Sequence, residues 1–448
     1  MRIYRLGFQT NMIGFLKRLW RDKRGNALVM AGAALPVVVG AAGLTSDTIQ
    51  WALWKRQLQR AADSAAIAGV YTIAADDGSR TNVTAAVDRD LVHNSHIGYT
   101  TNRTVGQPSS GSYAADPYAV NVTISVQKQL SFSGLFLTTA PTITASATAT
   151  VVPSGKYCVV SLENTAATGI SASGNASVNM GCGMITNSTS LTAAVAAGSS
   201  SVTASPIAAV GGIDASDNWG TGTVLQPFTM EQEDPFKNVY PPTPTDCKSF
   251  SQYDPGNDNK PGGTVNLTGN LTAGGTYCLK EPSGTLDIQG NVILPSGTYV
   301  LDATSLRMTN TNASLTCYKC TFVLTSSTAA TNPQTIGTVS LQGGKLDLSA
   351  ADSGPFKGLI FYQDRRALNS TGANYENLIN GNSTSTLLGG VYFPNQKMTF
   401  TGTAGMTTEC LQLVARNVYY SGNLNISNTC PTNSGAKAFD GKKVRLVE

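Results

Sequence analysis

Hydrophobic and polar positions change their period three times along the 448-residue chain. No ionisable side chain occurs between Arg24 and Asp47, a stretch that holds NALVMAGAALPVVVGAAGL. At 1.5 Å rise per residue its 22 positions span about 33 Å, close to the ~30 Å hydrocarbon core of a bilayer. Pro36 removes one backbone donor, which a membrane helix tolerates where local adjustment satisfies the freed carbonyl. From Thr48 to about Ala74 the chain holds no Pro, and Gly69 is its one Gly. There Trp51, Trp54, Leu58, Ala61, Ala65 and Ala68 alternate at spacings of three and four, which predicts a helix with a packing seam. That seam suits either the protein's own next domain or a partner helix.

Residues 76 to about 152 read as a small α+β unit. A polar helical stretch with Val83, Val87 and Leu91 precedes YAVNVTISVQ and TITASATATVV, which alternate with period two as half-buried strands do. Beyond Val152, Gly, Asn, Ser and Thr punctuate short apolar runs such as GTLDIQGNVIL, TFVLTS and GLIFYQ. Their centres at Leu267, Ile288, Met308, Val323, Leu341 and Ile360 recur at intervals of about 15 to 21 residues, which favours a parallel β-solenoid. A β-sandwich is the competing architecture. The expected organisation is a basic arm (1–24), a transmembrane helix (25–46), a long helix with a small α+β unit (47–152), and a β-rich repeat region (153–230). A Pro-rich linker or strap (231–263), a solenoid-like body (264–430) and a tail (431–448) complete it.

Charge changes the picture at one end only. Seven bases and one acid lie in the first 24 residues, so the net +4 of the whole chain conceals a slightly acidic remainder. Bases on the N-terminal side of the apolar run keep that end cytoplasmic and send about 400 residues outward. Trp51, Trp54, Lys55 and Arg56 then fall where an interfacial belt would lie. A cleaved signal peptide is the alternative, but the run exceeds a usual h-region and a helical pattern continues beyond it. The body lacks the clustered Lys and Arg that a nucleic-acid partner requires. Charged residues make up 13% of the chain and Gly numbers 45, so its surface is neutral and rich in hydroxyls.

The stretch from Arg21 to Val70 resembles the N-terminal region of TadG-like proteins of Tad (Flp, tight adherence) pilus systems. The matching features run in order: Arg24 and Gly25, Pro36, Gly40 to Gly43, Asp47, and the Leu-Gln-x-Ala-Ala-Asp-x-Ala-Ala-x-Ala-Gly helix from Leu58 to Gly69. Strands ending in the Ala145 to Ala149 pattern extend the likeness to about the first third of the chain. The resemblance implies a single-pass inner-membrane protein with a periplasmic body, whose partners are the bacterial inner membrane and other Tad/Flp pilus proteins. Pilins processed by prepilin peptidase carry Glu at the fifth position after the cleaved Gly, where this chain has Met30. An uncleaved anchor is therefore expected. Some TadG-like proteins carry a von Willebrand A-type domain with an Asp-x-Ser-x-Ser metal site; the nearest string, Asp214 to Asn218, lacks the second Ser.

Candidate chemistry is sparse. Eight cysteines, Cys158, Cys182, Cys247, Cys278, Cys317, Cys320, Cys410 and Cys430, all lie on the expected outer side, where disulfides persist. Sequential pairing is expected, Cys158 with Cys182, Cys247 with Cys278 and Cys410 with Cys430, each bond stabilising by ~3 kcal/mol. Cys317 and Cys320 have the spacing of a local disulfide, a redox pair or half a zinc site. His93 and His96 are too few for a metal site. Asp254, Asp258, Asp287, Asp302 and Asp347 are dispersed, and the loop from Gln363 to Thr386, with Asp364, Arg365 and Arg366, is the candidate recognition surface. No catalytic residue, metal or cofactor is expected. With this sparse chemistry the resemblance implies a non-enzymatic structural component of pilus assembly, with a cell-wall or surface glycan as a further partner. A secreted minor pilin or surface adhesin, and a carbohydrate-active β-helix enzyme, are the alternatives.

Overall fold

The computed structural model describes residues 25–75, 78–94, 102–370, 372, 375–380, 385–402, 405–423, 425–428 and 438–448. The basic arm, His96, Cys430 and part of the Gln363 to Thr386 loop lie outside the described residues. The chain forms two compact units, Met1–Val152 with Val444–Glu448, and Pro153–Lys443.

In the first unit one helix, α1 (Gly25–Ala75), joins the apolar run to the amphipathic stretch without a break and contains Pro36. A second helix, α2 (Val83–Asn94), and strands β1 (Asn102–Gly106), β2 (Val120–Gln127) and β3 (Thr142–Ser161) follow. The strands pair antiparallel, Val105 opposite Val122 and Val122 opposite Ala147. Period-two alternation turns Val120, Val122, Ile124 and Val126 of β2, with Ala145, Ala147 and Ala149 of β3, onto one buried face. Trp54, Leu58, Ala62, Ala65, Val70 and Ile73 of α1 form a core with that face and with Val83 and Val87 of α2. The chain's last residues complete this unit. Val444 and Leu446 pack on the same core, and the Thr148 amide donates to the Glu448 carbonyl at 2.6 Å.

The second unit is mainly β. Its described strands between Tyr157 and Asn428 pair in parallel and build three ladders. In the first, Val265 pairs with Val292, Val292 with Leu315 and Leu315 with Leu346. A second aligns Tyr277, Tyr299 and Phe322, and then Phe361. The third aligns Leu286 with Leu306 and Leu306 with Val339. The antiparallel pairs that a sandwich needs are not found among these strands. The six apolar centres noted in the sequence fall on different ladders: Val323 and Ile360 belong to strands of the second, Met308 and Leu341 to strands of the third. Some of these spacings step between ladders, as from Met308 to Val323, whereas Leu286 returns to its own ladder at Leu306 after 20 residues.

Chain order and spatial order differ in this unit. The strands that begin at Tyr157 stack on the last strands, with Leu413 opposite Val159 and Val418 opposite Ile170. From there the chain proceeds to Gln226, and a long irregular stretch carries it to Thr264, where the remaining ladders start. Glu163 seals the junction between early and late strands. Its buried carboxylate accepts from Arg416 Nε at 3.0 Å, Asn417 Nδ2 at 3.1 Å and Thr165 Oγ1 at 2.6 Å.

Core residues follow from the ladders. Aromatic rings stack from strand to strand, Tyr277 on Tyr299, Tyr299 on Phe322 and Phe322 on Phe361, with centroids 5.5 to 5.6 Å apart. Leu359–Gln363 is buried at every position, because side chains of both parities are covered. Leu359 and Tyr362 point into a second core made with Phe236 and Val239 of the Pro-rich stretch. That stretch is a strap laid along the second ladder.

Candidate functional site

α1 has two unlike halves. From Val29 to Ala42 its side chains are exposed apart from Gly40, which is half-buried, and they include Val29, Met30, Leu35, Val37, Val38 and Val39. It is long and apolar enough to cross a membrane. Beyond Asp47 one face is buried. Trp54, Leu58 and Ala65 of the expected seam are buried, whereas Trp51, Ala61 and Ala68 are half-buried and Ala62 and Gly69 take the inward positions. A Cβ at Gly69 would meet Val120 at 3.0 Å, Val87 at 3.2 Å and Val83 at 3.3 Å, so this helix passes its neighbours at the closest approach that glycine allows. The seam is thus packed on the protein's own sheet and second helix.

Two contacts at the junction of these halves were not visible in the sequence. Asp47 is buried and accepts a hydrogen bond from the Ser133 amide at 2.6 Å, 86 residues away. One turn earlier, Gly43 leaves room for the Phe132 ring, with which any side chain there would collide. Both partners lie in the β2–β3 connection. An aspartate soon after an apolar run was the available signal, but its partner was not.

The loop residues Asp364, Arg365 and Arg366 hold the strap and the neighbouring ladder. Arg365 donates to the Phe236 carbonyl at 2.6 Å and to the Lys237 carbonyl, and it meets Asp234 at 3.3 Å and Tyr392 Oη at 2.8 Å. Tyr392 Oη also donates to Asp234 at 2.7 Å, and Tyr362 Oη donates to the Val239 carbonyl at 2.7 Å. Burial lowers the Arg365 pKa, yet Tyr392, Asp234 and Tyr362 outweigh it and raise the group above its ordinary value. Asp364 accepts from Thr325 Oγ1 at 2.7 Å and from Arg366 Nη2 at 2.6 Å. Burial alone would push its carboxyl up, but these hydrogen bonds and the Arg366 charge hold it below the ordinary aspartate value. Hydrogen bonds and the Arg416 charge likewise overcome burial at Glu163 and hold it low.

Three disulfides join Cys158 to Cys182, Cys247 to Cys278 and Cys317 to Cys320, with Cα separations of 5.9, 4.4 and 5.8 Å. The first ties neighbouring strands, and the second fastens the strap to the second ladder. The third closes the corner at which Ser314–Thr325 passes from the first ladder to the second, where the register shifts and Lys319 has φ of 57°. Cys410 is disulfide-bonded, and Cys430 lies outside the described residues.

Among the described residues no group of three or more His, Cys, Asp or Glu side chains is placed to hold a metal ion. The dispersed carboxylates have separate partners: Asp254 accepts from the Asp258 amide, Asp287 pairs with Arg307, Asp302 with Lys280, and Asp347 with Tyr318. A polar cleft of about 360 Å³ lies between Thr276, Thr298, Lys319 and Asp352, with Pro242 of the strap on its wall.

The extent of α1 is what the comparison with known families matches. Residues 25–76 match the family model for Flp pilus-assembly TadE/G-like proteins. No curated protein and no solved structure matches the chain. The TadE/G-like segment thus covers α1 from its exposed apolar half to the end of its packed half. This similarity to pilus-assembly proteins supports a pilus-related structural role.

Proposed function

We propose that this protein is a non-enzymatic, membrane-anchored structural component of Tad/Flp pilus assembly. The observation that carries this is the coincidence of the TadE/G-like match at residues 25–76 with a helix whose first half is apolar and exposed and whose second half packs on the protein's own unit. The N-terminus stays in the cytoplasm and the body matures in the periplasm, supported by the basic residues before Gly25 and by cysteines that pair in the body. The body is a parallel β-solenoid, supported by its three parallel ladders and stacked aromatic rings. It offers other pilus proteins a neutral surface, and its polar cleft suits a surface glycan. Cells with only residues 45–448 should lack pili, and the intact protein should remain in carbonate-washed membranes and be missing from sheared pili. Its recovery in sheared pili with a new N-terminus at Asn26 would contradict anchoring and identify a pilin.

A further inference from the structure

The connection between β2 and β3 contains no charged side chain from Gln129 to Pro141, and hydrogen bonds within it hold its turns. The Gly134 amide donates to the Leu130 carbonyl at 2.9 Å and the Leu137 amide to the Ser133 carbonyl at 2.8 Å. Gln129 Nε2 closes the turn on the Leu137 carbonyl at 2.9 Å. This frame turns Leu130 toward the core and presents Leu135, Phe136 and Leu137 outward at 76%, 74% and 43% exposure. Large adjacent apolar side chains held outward by a fixed loop need a partner.

Their position identifies one. Along α1, Gln59 donates to the Ser146 carbonyl and Lys55 to the Thr144 carbonyl, so moving down β3 toward its start also moves down the helix toward the apolar run. The loop continues that descent. Phe132 occupies the gap at Gly43 and Asp47 grips the Ser133 amide, so the loop is fastened to the outer end of the exposed apolar half. A buried aspartate is thereby supplied with a donor where water becomes scarce. We infer that Leu135, Phe136 and Leu137 insert into the outer interfacial layer of the lipid bilayer beside α1, making a second, shallow membrane contact that fixes how the first unit stands on the membrane.

This inference rests on α1 spanning the bilayer, and the test separates the two. The full chain carrying Phe136→Cys, or Val92→Cys as a control, is labelled with the fluorophore NBD and reconstituted into phosphatidylethanolamine/phosphatidylglycerol vesicles. Val92 is 77% exposed and lies on α2, which contacts α1 near Ser64, many turns from Gly43. Dithionite should bleach NBD at position 136 at least about tenfold more slowly than at position 92, with blue-shifted emission. Equal rates in vesicles whose protein resists carbonate extraction would overturn the lipid contact and leave the anchor intact. Release of the protein by carbonate would overturn both. Protection at position 136 in native membranes but not in pure lipid would assign the loop to a protein partner and overturn the inference.

Discussion

Asp364 and Arg365 show how a residue's role depends on partners that lie far away in the chain. An Asp-Arg-Arg string within a polar loop reads as solvated, yet Asp364 is buried and Arg365 reaches Asp234, 131 positions earlier. Local pattern carries no trace of such a pairing. Because its folded-state pKa is lowered, Asp364 contributes stability that is fully present above the ordinary aspartate value and is lost as pH falls through the folded value. Asp364→Asn should therefore destabilise the body by about 2 kcal/mol at pH 7. The difference from the native protein should shrink below about pH 4, as the native carboxyl takes up its proton. Thermal melts from pH 7 to 3 check this, and a constant difference across that range would contradict it. The cysteines were more legible: Cys158 with Cys182 and Cys247 with Cys278 pair in nearest-neighbour order, and Cys317 with Cys320 forms the local disulfide among the options their spacing left open.

At the scale of elements, the helix was readable in extent and nearly so in facing. The 3.5-residue seam through Ala61 and Ala68 drifts from the observed face, where Ala62 and Gly69 are buried. A helix at 3.6 residues per turn drifts about 20° per heptad from a 3.5-residue repeat, so Ala61 and Ala68 turn to the edge of the face on which Ala62 and Gly69 are buried. The Ala-rich motif then has a local cause: near Gly69 the strand β2 and the helix α2 lie so close that a Cβ would meet Val120, Val87 and Val83 at 3.0 to 3.3 Å. Ala65→Leu should overpack this contact and cost about 1–3 kcal/mol. Hydrogen exchange should show faster opening of β2 and α2 in that variant, and unchanged protection there would refute the close packing. In the body, apolar runs located individual strands correctly, but their spacing could not reveal ladder membership because each circuit visits three ladders.

On the scale of the whole molecule, the body's stack is entered part-way along, and the strap carries the chain between ladder ends. Sequence order hides this, since no local signal tells that Val159 will lie beside Leu413. The Pro-rich stretch, as chain without a ladder of its own at Phe236 and Lys237, takes its order from contacts such as those of Arg365. The division between an apolar exposed half-helix and a disulfide-bonded body is what gives the chain its proposed place in the envelope. The most direct measurement is labelling of spheroplasts with a membrane-impermeant maleimide, using Thr10→Cys in the basic arm and Leu191→Cys, a highly exposed position in the body. Leu191→Cys should react in intact spheroplasts and Thr10→Cys only after permeabilisation; reaction at Thr10→Cys with protection of Leu191→Cys would contradict the account.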